Sequence, residues 1–236
     1  MPTDRILAGI GRFRTHFEEN RELFELLANE GQAPQALFIG CSDSRVPPEW
    51  ITQCDPGDLF VTRNVGNIVP PYGTGQTAIG AVVEFAVLQL NVGHIILCGH
   101  TDCGGIMALD QAVDWIREPH IARWIEHARP AKTKIDASGI PEKSRHLAMV
   151  RENVLLQLEN LRSYDPVREG ERAGTLHLHG FVYRLRTGVV EAHDDESGTW
   201  TPVTAAWPES PQSPQPSRGE PPSQRETEGS KPYQDE

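Results

Sequence analysis

Two short stretches hold the residue types that do chemistry in this chain: Cys41-Ser42-Asp43-Ser44-Arg45 and His100-Thr101-Asp102-Cys103-Gly104-Gly105. Zinc takes thiolate and imidazole in a tetrahedral site, and structural zinc sites are closed by four protein ligands, often in two short-spaced pairs. Only one short pair exists here, His100-x-x-Cys103, and Cys41 stands alone 59 residues upstream. Three protein ligands with a fourth position to spare is the catalytic arrangement, so Cys41, His100 and Cys103 are expected to hold one Zn2+.

Asp43 and Arg45 sharpen that expectation. Two residues from Cys41, Asp43 is near enough to reach the metal itself or to accept a hydrogen bond from a water in the fourth position. Arg45 can hold the same carboxylate in a bidentate pair. Zinc lowers the pKa of its water to about 7, which makes hydroxide available at cellular pH. The alternative is an ordinary surface ion pair at a strand end, and the closeness to a ligand disfavours it. Cys98, within an apolar run, and Cys54 read instead as thiols that pack like small hydrophobes.

The elements that position these loops follow from the apolar pattern. Ala36 to Ile39 and His94 to Cys98 are short apolar runs suited to strands covered on both faces, and each leads into one of the two loops. Leu59-Phe60-Val61-Thr62 is a third, ending at Arg63-Asn64, while Pro47-Pro48 is expected to stop regular structure after the first loop. Thr77 opens a helix with Ile79, Val82, Val83, Ala86 and Leu90 on one stripe. Strand, helix and strand make a parallel βαβ unit, in which ligands collect at the carboxyl ends of the strands. Cys41, Arg63 and His100 all sit at such ends. Ile6, Ile10, Phe13 and Phe17, then Leu23 to Leu27, predict one or two N-terminal helices, with Thr3 or Asp4 as N-cap. A helix follows from Ile106 to about Gln111, then a polar, proline-punctuated stretch to Pro141, then an amphipathic helix along Leu147, Val150, Val154, Leu158 and Leu161. Thr175 to Leu185 alternates like a strand and turns at Thr187-Gly188 into Val189-Val190, an antiparallel hairpin at the sheet edge. His177 and His179 share one face there and read as polar residues of an edge strand, since no third metal ligand is evident. The fold class is therefore α/β, a mostly parallel sheet flanked by helices with an antiparallel edge hairpin.

The chain of 236 residues carries a net charge of −11. That argues against a nucleic-acid surface, which needs clustered Lys and Arg, and against anionic lipid. No apolar stretch is long enough to span a membrane, and the N-terminus lacks a secretory pattern. A reducing cytosol is the expected setting, where cysteines serve as metal ligands more than as disulfides. One domain is expected over residues 1–207. Residues 208–236, with seven prolines and no aliphatic residue, are expected to be a disordered tail.

Cys-Ser-Asp-Ser-Arg-Val-Pro at 41–47, Pro-Gly-Asp-Leu-Phe-Val-Thr-Arg-Asn-Val-Gly-Asn at 56–67 and Cys-Gly-His-Thr-Asp-Cys-Gly-Gly at 98–105 together resemble the β-class carbonic anhydrases. The resemblance runs from about Ile6 to Val190, and the segments Gly11 to Arg14, Ile51 to Gln53 and Val69 to Gly73 look most like the branch with cyanobacterial carboxysomal enzymes. It implies reversible hydration of CO2 to bicarbonate and a proton, with zinc on Cys41, His100 and Cys103. Asp43 would either swing onto the metal, closing the site, or pair with Arg45 and leave room for water. Gln32 matches an amide offered to bicarbonate from a dimer partner, Phe60 and Phe85 match the walls of the substrate pocket, and Gly104 with Gly105 would let backbone approach the substrate. Phe85 stands where many members carry Tyr, and Phe181 where they carry Trp. Some bacterial members bind inhibitory bicarbonate through Trp, Arg and Tyr; Arg63 and Tyr183 match two of these, but Phe38 stands for the Trp, so no such switch is expected. The family also implies a homodimer or higher oligomer, with the N-terminal helices packing on the partner.

Two other readings stay open at this level. The same site could hydrolyse CS2 or COS, as relatives with this fold do. Alternatively the chain could be a non-catalytic assembly subunit recruited through its tail, for which a carboxysome scaffold protein would be the partner; the intact Asp43–Arg45 pair argues against an idle site.

Overall fold

The computed structural model describes residues 3–75, 77–111 and 116–204. The expected tail from residue 208 lies outside them. The N-terminal unit ends at Gln32 and a larger body begins at Ala33. In the first, α1 (Asp4–Glu19) and α2 (Arg21–Glu30) bury no residue, although Phe17 and Phe24 stack at 4.8 Å and Phe13 meets Phe24 edge-on at 5.9 Å. Thr3 stands at the N-cap of α1 without a side-chain capping bond.

An apolar run with no polar face needs cover on both sides, and β1 (Ala36–Cys41) is buried along its whole length. It lies between β2 (Leu59–Asn64) and β3 (His94–His100), parallel to both. The full sheet has the order β2-β1-β3-β4-β5-β6, adding β4 (His177–Tyr183), β5 (Val190–Asp194) and β6 (Thr199–Pro202). The connection from β2 to β3 therefore passes over β1. It contains α4 (Thr77–Glu84), whose Ile79 and Val83 enter the core, followed by one π-helical turn over Phe85–Gln89. The register pairs Cys41 with Asn64, and Gly40 with both Arg63 and Cys98, so the two chemical loops leave the sheet at the same end.

β4 is not an edge strand. It pairs parallel with β3, and the antiparallel hairpin grows outward from it through β5 and β6. His94 stands opposite His177 in that register, and His94 Nδ1 and His179 Nε2 are 3.0 Å apart in a hydrogen bond. The expectation of solvated edge histidines is thus corrected for His179, which is half-buried between two strands and has a third imidazole beside it.

Prolines mislead the reading elsewhere. Pro48, Pro119 and Pro130 do not end structure; each occupies the first turn of a helix, where its missing N–H has no partner to lose. They begin α3 (Pro48–Thr52), α6 (Pro119–Ile125) and α7 (Arg129–Ala137). After Gly104 a single short turn, α5 (Gly104–Met107), precedes a 3-10 turn to Asp110. The long α8 (Glu142–Arg162) buries Val150, Val154, Leu158 and Leu161, as the stripe predicts, but also Asn153 and Gln157. A further helix, α9 (Asp165–Ala173), leads into β4. No described helix is long and apolar enough to cross a membrane.

Candidate active site

Cys41 ends β1, His100 ends β3, and Cys103 follows two residues later at the cap of α5. Between the last two, Asp102 takes a left-handed backbone (φ 57), a turn that L-residues other than Asn and Asp adopt rarely. That turn brings Cys103 back beside His100. Among the described residues these three are the one group of His, Cys, Asp or Glu side chains arranged to hold a metal ion, their ligand atoms all within 4.8 Å of one another.

The donors fit zinc. Cys41 Sγ and Cys103 Sγ are 3.8 Å apart, which is the separation that two Zn–S bonds of about 2.3 Å make at a tetrahedral angle. His100 Nδ1 donates to the Thr101 carbonyl at 2.9 Å, leaving Nε2 as the nitrogen with a free lone pair. That Nε2 is buried and has no hydrogen-bond partner, an orphan that metal ligation would satisfy. The hydrogen bond between the two sulfurs pushes the Cys41 thiol well below its ordinary value, and the same bond with burial pushes the Cys103 thiol above it.

Asp43 flanks this group, its Oδ2 lying 3.9 Å from His100 Nε2. Arg45 grips the carboxylate with two parallel bonds, Nε to Oδ1 at 2.9 Å and Nη2 to Oδ2 at 2.7 Å, and the Arg45 backbone N–H adds a third at 3.0 Å. The guanidinium holds the Asp43 carboxyl far below the usual carboxylate range. Arg45 also donates to the Asp102 carbonyl at 3.1 Å, joining the two loops. A second arginine, Arg63 at the end of β2, donates to the carbonyls of Cys41 (2.8 Å) and Asp43 (2.5 Å).

Residues 36–190 match the family model for carbonic anhydrase. The fold also superposes on the solved β-carbonic anhydrase CcaA with a TM-score of 0.81 at 37% identity, over 86% of this chain and 93% of that one. The chain belongs to the β-class carbonic anhydrases. It is 45% identical to a carbonic anhydrase of Pseudomonas aeruginosa over 81% of this chain and 88% of that protein. A carbonic anhydrase of Synechocystis is 40% identical over 80% of this chain and 70% of its own length. Family and fold make this chain a carbonate dehydratase, a lyase that interconverts CO2 and bicarbonate.

The other expected residues of this carbonic anhydrase fall as follows. Phe60 and Phe85 stack on each other at 5.7 Å, and Phe85 is 44% exposed on the π-helical turn. Gln32 is exposed at the end of the N-terminal unit. Gly104 faces open space, whereas a Cβ at Gly105 would stand 2.9 Å from Val65 Cγ1 and 3.1 Å from the Gly66 nitrogen. The close approach is therefore made at Gly105, and it is made to the Gly66 loop. Phe38 is fully buried and packs over Gly40. Three features were not anticipated from the sequence: the Gly66 N–H pointing at Cys41 Sγ (3.4 Å), the Asn64 side-chain amide that brackets the Ile68 backbone at 2.7 and 3.0 Å, and the buried amides of α8. Only the position of Asn153 and Gln157 beside an apolar stripe could have flagged the last.

Proposed function

We propose that this chain catalyses the reversible hydration of CO2 to bicarbonate and a proton, with one Zn2+ held by Cys41, His100 and Cys103. When bound, zinc supplies a water acidic enough to yield hydroxide near neutrality. The observation that carries the reading is Asp43, an ionised acceptor beside the ligand group that Arg45 keeps turned to itself. So held, Asp43 can accept a hydrogen bond from the attacking water, orienting its lone pair, while leaving the fourth position clear. Phe60 and Phe85 offer an apolar wall suited to uncharged CO2. Gln32 reaches bicarbonate from a partner copy, which makes the working unit a homodimer or larger. A solved chain from the work on two tetrameric β-carbonic anhydrases of Sordaria macrospora is 30% identical, with a TM-score of 0.71 over 85% of this chain and 98% of that one, in keeping with that. All four cysteines are free thiols, which suits the cytoplasm, and the catalytic domain is taken to run to residue 207.

The test is zinc content and CO2 hydration from pH 6.5 to 9, for the parent, Cys41→Ser and Asp43→Asn, with COS and CS2 assayed beside CO2. Cys41→Ser should lose zinc and turnover together, and Asp43→Asn should keep zinc but lose most turnover. Full zinc and full CO2 hydration in Cys41→Ser would sink the assignment.

A further inference from the structure

Gly66 and Asn67, with φ of 77 and 46, are two consecutive left-handed residues in the loop after β2. Gly66 takes this backbone freely, but at Asn67 it costs energy and persists where the surroundings over-determine it. The surroundings here are three amides on one face of α8, spaced i, i+4 and i+7. Asn153 Nδ2 donates to the Gly66 carbonyl at 3.0 Å. Gln157 Oε1 accepts from the Val69 N–H at 2.9 Å, and Asn160 Nδ2 donates to the Val69 carbonyl at 2.8 Å. The three also bond to one another: Gln157 Nε2 to Asn153 Oδ1 at 2.9 Å, and Asn160 Nδ2 to Gln157 Oε1 at 3.0 Å. Each amide orientation is thereby set by its partners, because turning any one over would face donor to donor or acceptor to acceptor.

Apolar residues at 153 and 157 would fill the same core without the desolvation that two buried amides incur. Their presence ties α8 to the backbone that carries the Gly66 N–H, and that N–H donates to Cys41 Sγ at 3.4 Å. Gly105 also closes against Gly66, with no room for a methyl group. Hydrogen bonds to a ligating sulfur withdraw charge from it and fix its direction, and such outer partners typically change metal affinity by 10–100-fold.

We propose that Asn153, Gln157 and Asn160 are positioning residues that hold the Gly66 N–H against the Cys41 sulfur and so set the donor strength of that ligand. This rests on the reading of Cys41 as a metal ligand. The ladder acts through backbone, touching neither substrate nor metal, so its signature is in the metal–sulfur bond and not only in stability.

The experiment uses the full chain with Zn2+ exchanged for Co2+, reading the thiolate-to-cobalt charge-transfer band, and measures Zn2+ affinity by competition with a chromophoric chelator. Asn153→Leu should move the band to lower energy, as the sulfur regains charge, and should weaken zinc binding by about 10–100-fold, because the loss of the sulfur's fixed direction outweighs its stronger donation. Asn160→Ala, at a half-buried position that is easier to vary, should shift both in the same direction by less. Leu158→Ala, on the same helix but outside the ladder, should lower the Tm with band and affinity unchanged. If the bands of Asn153→Leu and Asn160→Ala superimpose on those of the parent and Leu158→Ala, the ladder is merely structural and the proposal falls; should Asn153→Leu fail to fold, Asn160→Ala alone decides. A parent that shows thiolate bands yet is inert toward CO2 would overturn the proposed function and leave this test standing. A parent with no thiolate band would overturn both.

Discussion

His179 should make the protein acid-sensitive in a way that can be isolated from its metal. Burial, then the neighbouring His94 and His177, push the His179 imidazole from 6.5 down to about 4, with Asp195 pulling weakly the other way. The rings around it are those of His94 and Phe181, at 5.2 and 6.1 Å, so no carboxylate is in direct contact to welcome a proton. A folded-state pKa below the unfolded one means that the unfolded chain binds more protons between pH 6.5 and 4. Stability from this group is therefore complete above pH 6.5 and is lost as pH falls through that window. At 1.36 kcal/mol per pKa unit, the loss reaches about 2 kcal/mol by pH 5 and about 3 kcal/mol by pH 4. The assay is urea unfolding of parent and His179→Gln at fixed chain concentration from pH 8 to 4. Acid-driven loss of metal and the titration of other groups are common to both chains and cancel in the difference. The parent's advantage over His179→Gln should shrink by those amounts as the pH is lowered. Parallel stability curves from pH 8 to 5 would show that the imidazole accepts its proton without cost, and the account of the buried pair would be wrong.

Gly105→Ala must push Val65 and the Gly66 backbone aside, so its urea midpoint should fall by the equivalent of about 1–3 kcal/mol, while Gly104→Ala, facing open space, should leave it within about 0.5 kcal/mol. Arg63→Gln removes both bonds to the Cys41 and Asp43 carbonyls; stopped-flow CO2 hydration should drop by roughly 10–100-fold with zinc retained, and an unchanged rate would show that the loop holds its shape unaided. With Phe38 buried against Gly40 and Arg63 committed to two carbonyls, bicarbonate should inhibit only as a product does. Sigmoidal inhibition in initial-rate measurements would count against that.

The site was legible because its parts are local. Each ligand loop directly follows an apolar run too short for a helix, which favours a buried strand, so Cys41 and His100 were expected at strand ends. Parallel pairing then had to bring those ends together. What stayed hidden depends on partners distant in the chain. His94 and His179 meet only because β3 and β4 are neighbours, and nothing within 85 residues of either announces the other. The amides of α8 look like the polar flank of an amphipathic helix until the Gly66 loop is laid on them. Pro48, Pro119 and Pro130 read as stops because sequence does not tell the first turn of a helix from its interior. The two glycines after Cys103 look alike as well, yet only Gly105 has backbone pressed against it.

The hydrogen bonds around Asp43 divide into two sets with different consequences. Its backbone is pinned, since its carbonyl takes a bond from Arg63 and the preceding Ser42 N–H donates to Asn64 at 2.9 Å. The neighbouring Cys41 carbonyl is held by Arg63 too. Its carboxylate, by contrast, is held mainly by Arg45, a side chain more than half exposed to solvent, and water screens such a pair and offers both partners alternative bonds. Turning the carboxylate, itself only 17% exposed, away from Arg45 gives up only the bonds from that one residue, whereas moving the loop would break the backbone bonds as well. Arg45 need not follow, because its bond to the Asp102 carbonyl keeps the guanidinium between the loops. Any change between an open and an Asp43-closed site should accordingly be a side-chain rotation on a fixed loop, with Arg63 setting the frame and Arg45 holding the carboxylate within it.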